Sequence, residues 1–157
     1  MIKRPRCATR RTGGDRLRDN RFRPVSPTCG RMLPMDRLID LDLAAAEILS
    51  RLPAWTASGL VPGPLTWRDG TARWPRPLET ERTLVTDPDS VGVQIEDGDE
   101  RNIVRIVLFR GGWADVDALA GGEGITENPD VSSVAEFGAL LDSAITRFMN
   151  VRRPPAI

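Results

Sequence analysis

The strongest constraint on this chain is a period of two. Residues 90–119 read SVGVQIEDGDERNIVRIVLFRGGWADVDAL, three runs that alternate apolar with other residues and are separated by turn signals. Successive side chains on a strand point to opposite faces, so each run reads as a strand and the turns between them fold the runs back on one another. In the first run Val91, Val93 and Ile95 share a face. In the second, Val104, Ile106 and Leu108 alternate with Ile103, Val107 and Phe109, the pattern of a central strand covered on both sides apart from Arg105. In the third, Ala114, Val116 and Ala118 oppose Trp113, Asp115 and Asp117, which predicts one wet face. AGGEG then ends the run, and ITENPDVSS reads as a short last strand or a loop.

Helical periods flank this meander. Leu38, Leu41, Ala45, Ile48 and Leu52 recur at spacings of three and four, which predicts a helix from Asp36 that Pro53 terminates. Glu47 and Arg51 are spaced to pair on its outer side. At the other end, Ser133 and Glu136 have capping-box spacing, and Phe137, Leu140, Leu141, Ala144, Ile145 and Phe148 make an apolar stripe, so a helix is predicted over 133–149 with Arg147 in its last turn and Asn150 as C-cap. Residues 53–77 are dense in Pro and Gly; LTW and TARW, either side of Arg68, Asp69 and Gly70, read as a short hairpin or a loop. Trp55, Trp67 and Trp74 read as aromatic packing between helix and sheet. The predicted class is α+β: an N-terminal helix, an antiparallel β-meander of three to four strands, and a C-terminal helix packed on the sheet.

Charge divides the chain. Residues 1–34 carry ten Lys or Arg against Asp15 and Asp19, whereas the rest carries twelve basic and twenty acidic side chains. The leader has no sustained apolar period with which to bury a face, so it reads as disordered, as a basic arm for nucleic acid, or as upstream sequence preceding a true start at Met32 or Met35. The domain reading is therefore leader 1–34, a single domain 35–150, and a tail 151–157. Both cysteines, Cys7 and Cys29, fall in the leader, so no disulfide is expected in the domain. No apolar run has the length of a membrane span or secretory signal, and a cytoplasmic location is expected.

Chemistry is limited by what is missing. The chain has no His and no Tyr, and its sole Lys is Lys3. The domain thus lacks the commonest general base, a thiol nucleophile, a Schiff-base amine and the lysine of a phosphate loop. GGEG at 121–124 reads as a turn. DPDSVG, Asp87 to Gly92, opens like a calcium loop, but Val91 and Gly98 occupy its fifth and twelfth positions, where ligands belong. Asp115 and Asp117 project from one strand face, as a metal-dependent nuclease or a glycosidase would need, although alternate acidic residues also mark an ordinary solvent face. No cofactor and no metal is expected, and the chain reads as a non-enzyme.

The run VGVQIEDGDERNIVRIVLFRGGWADVDAL followed by VAEFGALLDSAITRFM resembles the TriTu family of bacterial immunity proteins, small proteins of polymorphic toxin systems. The likeness spans residues 85–149: two strands, a turn in which Phe109, Arg110, Gly111 and Gly112 precede Trp113, an acidic alternating strand, and a closing helix. The segment 53–77 is longer than the family pattern. The resemblance implies an immunity protein that neutralises a cognate toxin by direct stoichiometric binding, with no catalytic residues. An acidic body favours a basic partner, such as a nucleic-acid-degrading toxin. On this reading Asp97, Asp99, Glu100, Asp115 and Asp117, with Trp113 as aromatic anchor, form the partner-binding surface; on the alternative, Trp113 is core and the carboxylates only confer solubility.

Overall fold

A computed structural model describes residues 39–98 and 101–149. The leader 1–34, the tail 151–157, and Leu38, Asp99, Glu100 and Asn150 lie outside these residues. The element order is α1 (Leu41–Ala57), β1 (Leu60–Pro62), β2 (Thr66–Asp69), a 3-10 turn at Arg82–Leu84, β3 (Pro88–Asp97), β4 (Ile103–Phe109), β5 (Trp113–Ala120), β6 (Glu123–Glu127) and α2 (Val134–Phe148). The fold is α+β: one six-stranded antiparallel sheet in the order β1-β3-β4-β5-β6, with β2 also paired to β3. β3 to β6 form the expected meander.

Helix α1 starts where Asp40 accepts hydrogen bonds from the amides of Asp42 and Leu43 at 2.9 and 3.1 Å. Pro53 does not end it, contrary to the sequence expectation. The helix runs one further turn and seats Trp55 in the core, 5% exposed. Burying about 200 Å² of indole at roughly 25 cal/mol per Å² gives about 5 kcal/mol, more than the roughly 3 kcal/mol that a proline costs inside a helix. The stop lies at Ser58 and Gly59, where Gly59 adopts φ +88° and turns the chain into β1; a side chain there would be strained.

The Pro-rich segment is more regular than its composition implies. β1 and β2 both lie along the outer edge of β3, β1 opposite Ile95–Asp97 and β2 opposite Pro88–Gly92, and the Gly63 amide bridges them by donating to the Gln94 carbonyl. TARW does not pair with LTW: Trp67 instead exchanges backbone hydrogen bonds with Glu79. Asp69, expected in a hairpin turn, is buried, and its carboxylate accepts hydrogen bonds from the Thr71 hydroxyl and amide and from the Thr86 amide. These bonds, the Thr71 hydroxyl first, hold its pKa down from 3.8 to about 2. Trp67 is in the core as expected, whereas Trp74 stands 83% exposed.

Both helices pack on one face of the sheet. Val91, Val93, Ile95, Val104, Ile106, Leu108, Ala114, Val116 and Ala118 meet Ala44, Ile48, Phe137, Leu141 and Ala144 in one buried cluster. Ser133 caps α2 by accepting from the Glu136 amide, while the Glu136 carboxylate reaches back to the Ser132 amide rather than that of Ser133. The helices are tied by Arg51, which donates to Glu47 at 2.6 Å and to both oxygens of Asp142 at 2.7 and 3.0 Å. Gly138 permits that approach, since a Cβ there would lie 2.8 Å from the Glu47 carboxylate. Among the described residues no helix is long and apolar enough to cross a membrane.

Candidate functional site

β4 was expected to be covered on both sides, and the structure covers one. Val104, Ile106 and Leu108 are fully buried, whereas Ile103, Val107 and Phe109 remain partly exposed on the face away from the helices. The register assembles that second face row by row. Gln94, Arg105, Asp117 and Thr126 cross the sheet in one row; Thr66, Gly92, Val107 and Asp115 form the next; Arg68, Ser90, Phe109 and Trp113 form the last. Among the described residues no helix lies over it.

Its most prominent feature is an aromatic ridge. The Phe109 and Trp113 rings stack with centroids 5.1 Å apart and planes 13° from parallel. The two glycines between them have separate roles. Gly112 takes φ +91° in the turn, and Gly111 lies directly under the indole, where a Cβ would be 2.1 Å from Trp113 Cζ3. The same turn receives the chain leading into α2, because the Ala114 amide donates to the Pro129 carbonyl and the Val131 amide to the Gly112 carbonyl. Trp113 is therefore neither core nor loose.

Glu96, Arg105, Asp115 and Asp117 each have a side-chain partner here. Asp117 accepts from Arg105 Nη2 at 2.8 Å and from the Thr126 hydroxyl at 3.0 Å, and the guanidinium chiefly holds its carboxyl below the usual range. Asp115 accepts from the Asn128 amide at 2.7 Å. Glu96 accepts from Gln94. With Arg68 and Arg105 facing Glu96, Asp115 and Asp117, the surface is mixed in charge rather than a plain acidic field.

Of the residues singled out in the sequence, Trp113, Asp115 and Asp117 are brought together on this face. Asp97 is not: it is 7% exposed on the helix side, where it accepts from the Arg101 amide and from Asn102 Nδ2 at 2.6 Å, and Asn102 in turn accepts from the Gly121 amide of the β5–β6 turn. Asp97 is thus a fastening between two hairpin turns. Asp99 and Glu100 lie outside the described residues. Sequence reasoning missed Arg68 and Leu78, which border the face from β2 and from just past the Pro-rich segment. It also passed over the pairing of Arg105 with Asp117, although Arg105 is the one polar break in β4.

Chemically the face is suited to contact. Among the described residues no three Asp, Glu, His or Cys side chains are grouped to hold a metal ion. The two aspartates are spent on hydrogen bonds that fix β5 to its neighbours. A second polar cluster lies at the N-terminus of α1, where Arg82 donates to both oxygens of Asp42 and Arg110 Nη1 to Asp87, while the buried Arg110 Nε makes no hydrogen bond among the described residues and lies 3.6 Å from Asp89. No protein-family model matches this chain, and no curated protein or solved structure matches it either.

Proposed function

We propose that the chain is a non-catalytic binding protein of the immunity type, acting in the cytoplasm by stoichiometric contact with a cognate toxin through the helix-free face of its sheet. One observation carries this reading: an aromatic ridge held over a glycine, beside partly exposed Ile103 and Val107 and edged by charge. Protein interfaces concentrate their energy in such a pattern, where a rigid aromatic anchor loses water inside a polar rim. The negative balance of the residues beyond 34 adds a field that speeds the approach of a basic partner. The sequence resemblance to TriTu immunity proteins supplies the toxin as the kind of partner.

The test is co-purification of the tagged full chain with the product of the gene immediately upstream. A stable one-to-one complex is expected, and Trp113→Ala is expected to weaken it by at least tenfold while leaving the far-ultraviolet circular dichroism unchanged. Recovery of the chain alone beside a well-expressed upstream product, or an unweakened complex in Trp113→Ala, removes the proposal.

A further inference from the structure

Among the described residues, the helix-free face contains one cation that forms no ion pair. Arg68 in β2 is only partly exposed and has no salt-bridge or hydrogen-bond partner among the described residues, whereas Arg105 on the same face is committed to Asp117. Arg68 borders a small cavity of about 130 Å³ whose apolar walls are Leu78, Val107 and Phe109 and whose lining includes Thr66, the hydroxyl of which donates to the Gly92 carbonyl. At that size the space admits a side chain but not a folded element.

We propose that this cavity receives a carboxylate side chain, Asp or Glu, of the bound partner protein, and that Arg68 is the residue that holds it. The inference rests on the partner-binding reading above and names its specificity contact. A guanidinium presents paired donors that match a carboxylate, and it is most effective where water is partly excluded. The apolar walls accommodate the methylenes that carry the acid. Asp115 also borders the cavity, with one oxygen occupied by Asn128, and Arg105 borders it with its charge spent on Asp117. With the Arg68 guanidinium and the Asp115 carboxylate both lining the cavity, little net positive charge is present, which suits a singly charged guest better than a doubly charged phosphate. The overall acidity of the domain steers the partner; Arg68 then fixes its register.

Two measurements on the full chain test this. In the first, the Arg68 Nε–H resonance is followed by NMR during titration with benzoate and with benzamide as the neutral isostere. A saturable shift with benzoate alone, lost in Arg68→Gln, is expected. Equal shifts from both compounds, persistence of the benzoate response in Arg68→Gln, or displacement of benzoate by lower concentrations of inorganic phosphate overturns the carboxylate assignment. In the second, the affinity for the upstream gene product is compared among variants. Arg68→Gln is expected to lower it at least tenfold and Arg68→Lys less, because the lysine keeps the charge and loses the paired donors. If Trp113→Ala weakens the complex and Arg68→Gln does not, the binding face stands and the carboxylate pocket falls. If benzoate binds through Arg68 yet neither variant changes the complex, the face is not the interface, and the assignment of its guest to that partner is overturned.

Discussion

The two faces of β4 differ in chemistry far less than in surroundings. Val104, Ile106 and Leu108 look toward the helices and are sealed from water; Ile103, Val107 and Phe109 look the other way and are not. Both triplets are apolar, and alternation alone gives them equal claim to a core. What separates them is where the helices lie, and the lesson is that apolar pattern reports demand for cover while topology decides which demand is met inside the chain. The unmet side is where function is sought.

The comparison breaks most visibly under truncation. Ile106→Ala should cost about 2–5 kcal/mol, as buried aliphatic truncations do, whereas Val107→Ala should cost under about 1 kcal/mol. Denaturant midpoints of the two variants check this, and equal losses would mean that both faces are core. The next effect concerns acid. Asp69, buried at the end of β2, has a folded pKa lowered from 3.8 to about 2 by the bonds it accepts from Thr71 and Thr86. A depressed carboxylate contributes stability above its unfolded value that is lost as pH falls through the folded one, so wild type should lose stability between about pH 4 and 2. Asp69→Asn should flatten that limb of the profile; an unchanged acid limb would show that the Asp69 bonds do not contribute. The smallest effect belongs to the open face. Arg105 and Asp117 have side chains 55% and 38% exposed, and a double-mutant cycle on this pair should give a coupling of about 0.5 kcal/mol that fades with added salt. A coupling several times larger would place the pair in a drier setting than an open surface.

The sequence disclosed what depends on local period. Residues 90–119 and the Ser133–Glu136 spacing produced strands and a helix where they were expected, and parity alone put Trp113, Asp115 and Asp117 on one side of β5. Parity also condemned Asp97, which falls two residues past Ile95 on the buried face, but its surface-like chemistry masked that signal. β1 and β2 were harder to read for another reason. They are short and stabilised by pairing with a strand some thirty residues onward, so apart from LTW at the start of β2 nothing local marks them. The same distance hid Arg68. Pro53 was read as a stop because its local cost was visible and the compensating burial of Trp55 was not.

Gly111 carries a last consequence. With bare backbone beneath it and Phe109 beside it, the indole of Trp113 has its resting place set by the fold before any encounter. Ordering a free side chain at an interface typically costs about 0.5–1.5 kcal/mol, and here that entropy is already surrendered when the chain folds. On the proposed binding role of Trp113, two adjacent glycines, one for the turn and one for the ring, would shift a cost of recognition from the moment of contact to the moment of folding. Variation in how tightly such a ridge is held would register mainly in how long a complex lasts rather than in how fast it forms.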